Sequence, residues 1–139
     1  MADPLQSFPG YALRRAASAM MTEFSARLAP LGLRYAETSA MVLIEANPGT
    51  TASQLGRMLD IQRANMVPLL NRLETAGLIS RQPIDGKSHS LSLTPAGQVR
   101  LAEAKTVIDT FEHWLIARVP EEHRPHLKPA LDALWLGEG

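Results

Sequence analysis

Between residues 62 and 76 the apolar side chains Met66, Leu69, Leu70 and Leu73 fall at i, i+3, i+4 and i+7, the spacing of a helix with one buried face. Gln62, Arg63, Asn65 and Arg72 lie off that stripe, and Gly77 follows where a left-handed C-cap would end the helix. Just upstream, Leu55 and Leu59 form an i, i+4 pair in a shorter helix opened by Thr51. Thr51-x-x-Gln54 has the form of a capping box, in which the hydroxyl accepts an early amide and the glutamine reaches back. Asp60-Ile61 makes a tight turn between the two helices. After Gly77 the period becomes that of a strand: Leu78 to Arg81, then Ile84-Asp85-Gly86-Lys87 as a hairpin turn, then the alternating His89-Ser90-Leu91-Ser92-Leu93.

The flanks are helical. One helix is predicted from about Tyr11 to Leu28, bounded by Pro9-Gly10 and Pro30, and a second from about Glu37 to Ala46, with Met41 and Ile44 inward, ending at Asn47-Pro48-Gly49. Thr94 and Pro95 open a long fifth helix as N-cap and first helical residue. It runs to about Val119, where Pro120 breaks it. Glu121 to Leu136 reads as a sixth helix into which Pro125 and Pro129 fit poorly. The predicted fold is mainly α with a small β wing, in the order α-α-α-α-β-β-α-α, as one domain over residues 1–139. Its lobe at 37–96 has the layout of a winged helix-turn-helix, whose second helix can lie in a DNA major groove while the hairpin reaches the neighbouring backbone.

Composition narrows the function. A chain of 139 residues, 45% hydrophobic, can bury a core, but with three Phe, two Tyr and two Trp it must fill that core with aliphatic side chains. No run approaches the ~18 apolar residues of a membrane span. The N-terminal MADPLQSFPGYALRRAAS begins acidic and lacks the basic-then-apolar order of a secretory signal, so a cytoplasmic protein is expected. The absence of cysteine removes disulfides, thiolate ligands and thiol nucleophiles. His113, His123 and His126 have no acidic partner at a usual ligand spacing and read as surface histidines, so neither metal nor cofactor is expected. Nucleophile–base signatures, phosphate-cradling glycine loops and paired catalytic carboxylates are absent, which argues against an enzyme.

Zero net charge argues against nucleic acid on its face. Its distribution argues otherwise. From Thr51 to Arg100 six cations (Arg57, Arg63, Arg72, Arg81, Lys87, Arg100) face three anions (Asp60, Glu74, Asp85), a local +3. Phosphate binding depends on such local cations, because each one releases condensed counterions.

The order of elements, with Leu55-Gly56 before Asp60-Ile61, Asn71-Arg72-Leu73-Glu74, Ala76-Gly77-Leu78-Ile79, Arg81, Asp85 and Leu93-Thr94-Pro95-Ala96-Gly97, resembles the MarR (multiple antibiotic resistance regulator) family of transcription factors over essentially the whole chain. The resemblance implies a homodimer whose outer helices, about residues 9–30 and 97–136, interlock around a two-fold axis. It also implies a double-stranded palindromic operator, and relief of repression by small, often aromatic or phenolic, effectors held between the dimer region and the DNA-binding lobe. Three features depart from the family pattern. Pro68 falls mid-helix, where it deletes the hydrogen bond to Ala64 and should kink the helix. The wing carries Asp85-Gly86-Lys87 where Asp-x-Arg is usual, and its hairpin is about two residues shorter than is common.

The residues expected to meet DNA are Ser53 and Gln54 at a helix start, Gln62, Arg63, Ala64 and Asn65 on the first turn of the recognition helix, and Arg72, Arg81, Lys87, Ser88 and His89. Arg72 is equally suited to pairing with an acid such as Glu74 or Asp85, while Asp85 itself is expected to hold the wing turn. Phe111, Trp114 and Leu115 form an apolar patch suited to core. Should an effector site exist, Tyr11, Arg14, Arg15, Phe24 and His113 are the residues that would offer it ring or anion contacts. The competing reading is a winged-helix module that binds a protein partner instead of DNA, which Pro68, Lys87 and the zero net charge favour.

Overall fold

The computed structural model describes residues 1–136. Helix α1 spans Pro9–Leu28, α2 Tyr35–Ala46, α3 Ala52–Leu59, α4 Arg63–Thr75, α5 Pro95–Arg118 and α6 Arg124–Trp135; β1 (Ile79–Pro83) and β2 (His89–Leu93) stand between α4 and α5. Short 3-10 turns occupy Pro4–Ser7, Ala29–Leu31 and Glu121–His123. The order matches the expected one, and the boundaries move for local reasons. Helix α1 begins at Pro9 and α6 at Arg124, each with proline in its first turn, where the missing amide has no helical partner to lose. Residues Glu121–His123, expected to open the last helix, instead wind as a separate 3-10 turn. Helix α2 starts two residues early because the Glu37 carboxylate turns back to accept the Arg34 amide (2.9 Å), satisfying an otherwise orphaned donor.

The strands pair antiparallel, Ile79 opposite Leu93 and Pro83 opposite His89, so β1 runs two residues further than expected. The amide of Leu91 donates to the Thr50 carbonyl (2.8 Å), which ties the wing to the segment leading into α3. The Asp-Gly turn does not take the form its sequence suggested. Gly86 has no positive φ. Asp85 shapes the turn instead, its Oδ1 accepting the amides of Lys87 and Ser88 (both 2.9 Å).

One core joins the lobe to the outer helices. The α4 stripe, Met66, Leu69, Leu70 and Leu73, is only 1–3% exposed and packs in one cluster with Leu55, Ile79 and Leu91. That cluster continues through Met41, Ile44, Leu28 and Leu101 to Phe24 and Phe111. Full burial of each such side chain contributes roughly 1.5–3 kcal/mol. Helix α6 behaves differently: it buries nothing, and Leu134 and Trp135 are 69% and 74% exposed. Leu5, Phe8 and Leu13 are likewise exposed near the other terminus.

The Leu93-Thr94-Pro95-Ala96-Gly97 segment makes the join between wing and α5. The Thr94 hydroxyl donates to the Gly77 carbonyl (2.6 Å) and accepts from the Gly97 amide (3.0 Å), while the Thr94 amide donates to the Leu78 carbonyl (3.1 Å). This draws the first turn of α5 so close to the chain leaving α4 that a Cβ on Gly97 would lie 2.0 Å from the Leu78 carbonyl oxygen. Gly97→Ala is therefore expected to lower stability by at least the ~1–3 kcal/mol typical of overpacking, read as a fall in thermal midpoint by circular dichroism. Gly86→Ala, which meets nothing within 4 Å, should melt with the wild type; equal midpoints for the two variants would contradict the close approach.

Candidate nucleic-acid interface

The turn between α3 and α4 is set by Asp60, the one non-glycine residue with positive φ among those described (φ 54°, ψ 45°). The Ile61 amide donates to the Gly56 carbonyl (2.8 Å), and a Cβ on Gly56 would sit 3.0 Å from the Ile61 carbonyl oxygen, so Leu55-Gly56 permits the tight closure. At the start of α3, Thr51 Oγ1 accepts the Gln54 amide (3.2 Å) and Gln54 Oε1 accepts the Thr51 amide (3.0 Å). The capping box thus forms and occupies the Gln54 side chain, leaving Ser53 exposed beside it.

Helices α3 and α4 and the wing enclose a cleft of about 590 Å³. Its walls carry Ser53 and Arg57 from α3, Gln62, Arg63 and Val67 from α4, and Arg81, Lys87, Ser88 and His89 from the hairpin, over a floor that includes Leu70 and Leu91. Of the residues expected at a DNA surface, Ser53, Gln62, Arg63, Arg81, Lys87, Ser88 and His89 are gathered here. Ala64 and Asn65 are exposed on α4 outside the cleft. Sequence reasoning missed Arg57 and Val67. Arg57 was legible as the residue one turn after Ser53 on the same face, and Val67 as the residue one turn after Arg63. An exposed valine was passed over because apolar residues usually mark the core.

The cations divide into two kinds. Among the described residues Arg57, Arg63 and Lys87 have no ion-pair partner. Arg81 is partly engaged: Nη2 donates to Asn71 Oδ1 (3.0 Å), and Nε lies 3.0 Å from Glu74 Oε2 but is not aligned for a hydrogen bond. Arg72 pairs with neither Glu74 nor Asp85. Its Nε donates to Oε2 of Glu37 (2.8 Å), the buried carboxylate that also caps α2. A buried carboxylate left unpaired is costly, so Glu37 holds Arg72 against α2 and away from the cleft.

The residues expected to serve an effector are not assembled in one place within a protomer. Tyr11 and Arg15 pair with each other near the start of α1 (Arg15 Nη1 to Tyr11 Oη 3.0 Å), where Arg14 is exposed. Phe24 lies thirteen residues further along that helix, about 20 Å by the helical rise. Its ring is 4.7 Å from Phe111 and 5.7 Å from Tyr35, and Trp114 continues the row 5.9 Å beyond Phe111. Arg27 and Arg118 lie over the Trp114 ring at 5.2 and 4.9 Å. His113 Nδ1 is bound to the Asp109 carbonyl of its own helix (2.7 Å). No helix among the described residues is long and apolar enough to cross a membrane.

A helix-turn-helix whose second helix opens with polar side chains, beside a hairpin carrying its own free cation, defines a winged helix-turn-helix protein of the nucleic-acid-binding class. The chain belongs to the MarR family: a family model of that description matches residues 31–87. A solved structure of the transcriptional repressor CouR bound to a 23-mer DNA duplex is similar to it at 35% identity, with 94% of each chain covered and a TM-score of 0.87. CouR bound to p-coumaroyl-CoA is similar at 32% identity, with 96% of each chain covered and the same TM-score of 0.87. The HTH-type transcriptional repressor Rv2887 of Mycobacterium tuberculosis is 28% identical over 127 residues, spanning 90% of this chain and 91% of that protein; it has been solved in complex with salicylic acid (TM-score 0.72, covering 91% of this chain and 96% of that one).

Two outcomes follow from the geometry. Arg72→Met should lower stability by about 1.5–3 kcal/mol, the range for a hydrogen bond to a charged group, in urea unfolding, whereas Arg63→Met should stay within about 0.5 kcal/mol of wild type. The amides of Lys87 and Ser88, with a lesser contribution from the charge of His89, hold the Asp85 carboxyl below its ordinary value of 3.8. A lowered folded value means the carboxylate supports the turn above pH 3.8 and loses that support as pH falls through the lowered value. The amide resonances of Lys87 and Ser88 should therefore titrate with a midpoint below 3.8; a midpoint at or above it would remove the turn's cause.

Proposed function

We propose that this chain is a cytoplasmic transcriptional repressor that binds a palindromic operator as a homodimer and is released by a small aromatic effector. The single observation that carries the reading is the cleft between α4 and the wing, with Arg57, Arg63 and Lys87 free around it. With α4 in a major groove and the wing at the adjacent minor groove, the phosphate strand dividing the two grooves must run along this cleft. Ser53 and the open amides at the α3 start line the cleft that would hold that strand, as do Arg57 and Lys87, and Arg63 on α4 is left to meet a base. Similarity to a repressor solved on a DNA duplex over nearly its full length supports the same assignment.

A palindrome requires two copies of α4 about 34–36 Å apart across a two-fold axis. The exposed apolar residues of α6 and of the N-terminal segment supply a surface that a second copy would cover. The effector class is carried over from what CouR and Rv2887 are seen to bind, and the Tyr35–Phe24–Phe111–Trp114 row offers faces on which an aromatic ring could stack. An effector weakens DNA binding only as far as it binds the wrongly spaced dimer better than the correctly spaced one. The chemistry throughout is binding, not turnover.

Titration onto a duplex from the chain's own upstream region at several salt concentrations tests this. With Arg63 reading a base, two phosphate-neutralising cations per protomer, Arg57 and Lys87, give four per dimer and a log–log salt slope of roughly −4. Arg63→Ala should weaken binding roughly 5- to 150-fold per half-site, and Lys87→Ala should make the slope shallower by about one per protomer. Absent or salt-insensitive binding would favour a protein-binding module.

A further inference from the structure

Helix α4 carries two apolar stripes. Met66, Leu69 and Leu70 face the core, while Ala64, Val67 and Pro68 repeat the same i, i+3, i+4 spacing two residues earlier, about 200° around the helix. All three of the second set are exposed, Val67 by 53%. Two of them, Val67 and Pro68, are poor choices for an exposed helix on stability grounds. Proline in a helix interior is typically ~3 kcal/mol worse than alanine, and valine is a weak helix former. Yet α4 continues through Pro68 to Thr75. Local choices that oppose the element containing them are expected where a surface serves a ligand.

We propose that the Ala64–Val67–Pro68 stripe reads thymine methyl groups in the major groove of the operator; the proposal rests on the DNA-binding reading above. None of the three side chains can hydrogen-bond a base edge or a phosphate. The thymine C5-methyl is the apolar group that a major groove displays, and packing against apolar side chains is how it is recognised. The occupant is chosen by what surrounds the stripe. Val67 shares the cleft with Arg63, one turn earlier on the same face, and with the unpaired Arg57 and Lys87, a setting complementary to a polyanion. Asn71, one turn beyond Val67, does not compete for bases through its oxygen, because Oδ1 accepts from Arg81. On the cleft face of α4, Arg63 at the first turn is therefore followed by the hydrocarbon of Val67.

The test uses the full chain and a duplex it selects from a random pool. Each half-site thymine is replaced in turn by deoxyuridine, which removes the methyl and keeps the pairing. At least one thymine per half-site should be sensitive, by about fourfold per methyl and about fifteenfold when both half-sites are changed. In A64S/V67S/P68S, which replaces the exposed hydrocarbon stripe with hydroxyls and should keep the wild-type helical content, the preference for thymine over uracil should fall to near one while the salt slope is retained. Salt-dependent binding with equal affinity for thymine and uracil duplexes would overturn the stripe's role and leave the repressor reading standing, as would a selected half-site with no thymine. Discrimination that persists in A64S/V67S/P68S would also overturn it. Failure to bind any duplex would sink both readings and turn the stripe into a protein-docking face.

Discussion

Burial of Met66, Leu69, Leu70 and Leu73 on one side of α4 decides how that helix is rotated about its own axis. Everything the lobe presents outward follows from that rotation: with the core stripe inside, Arg63 and Val67 have to face the cleft. The Glu37–Arg72 pair adds a second restraint, pinning the far end of α4 to the start of α2 across thirty-five residues of sequence. Apolar burial sets the rotation and the buried carboxylate sets the register. A helix held by only one of these would present its outer side chains less accurately.

The wing depends on the helices in the same way. Its register is set by strand pairing, but its attachment comes from outside the hairpin, through Thr50 on one side and the Thr94–Gly97 join on the other. Because Gly97 lets α5 approach the Leu78 carbonyl so closely, the hairpin and the long helix are fixed to the chain leaving α4 within a few residues of each other. The tip is organised differently, by one carboxylate. Asp85 takes both amides that would otherwise point into solvent, which places Lys87 at the mouth of the cleft.

What the sequence made legible was whatever depends on neighbours along the chain. The α4 stripe, the capping box at Thr51 and Gln54, the proline-led start of α5 and the role of Asp85 are all short-range, and each appears in the structure as read. What was not legible depends on contacts between distant segments. Arg72 has acids nearby in sequence and pairs with one thirty-five residues away. The Asp-Gly dipeptide signals a two-residue hairpin turn, but a longer loop closed from Ile84 to Ser88 leaves Gly86 in an ordinary conformation. Tyr11 and Phe24 were grouped by chemistry, although the helix that carries both holds them about 20 Å apart. Val67 escaped notice because periodicity finds apolar residues that agree with a core stripe and has no category for one that opposes it.

The cleft keeps its charges and its hydrocarbon on separate side chains. Arg57, Arg63 and Lys87 stand free at its walls, while Ala64, Val67 and Pro68 occupy the outer face of α4 and belong to no part of the core cluster. Substitutions at those three positions neither open a void nor strand an ion, so selection can act on them without destabilising the fold. A lineage carrying this scaffold can therefore retarget by gene duplication and drift along one exposed face, its grip on the polynucleotide backbone unchanged.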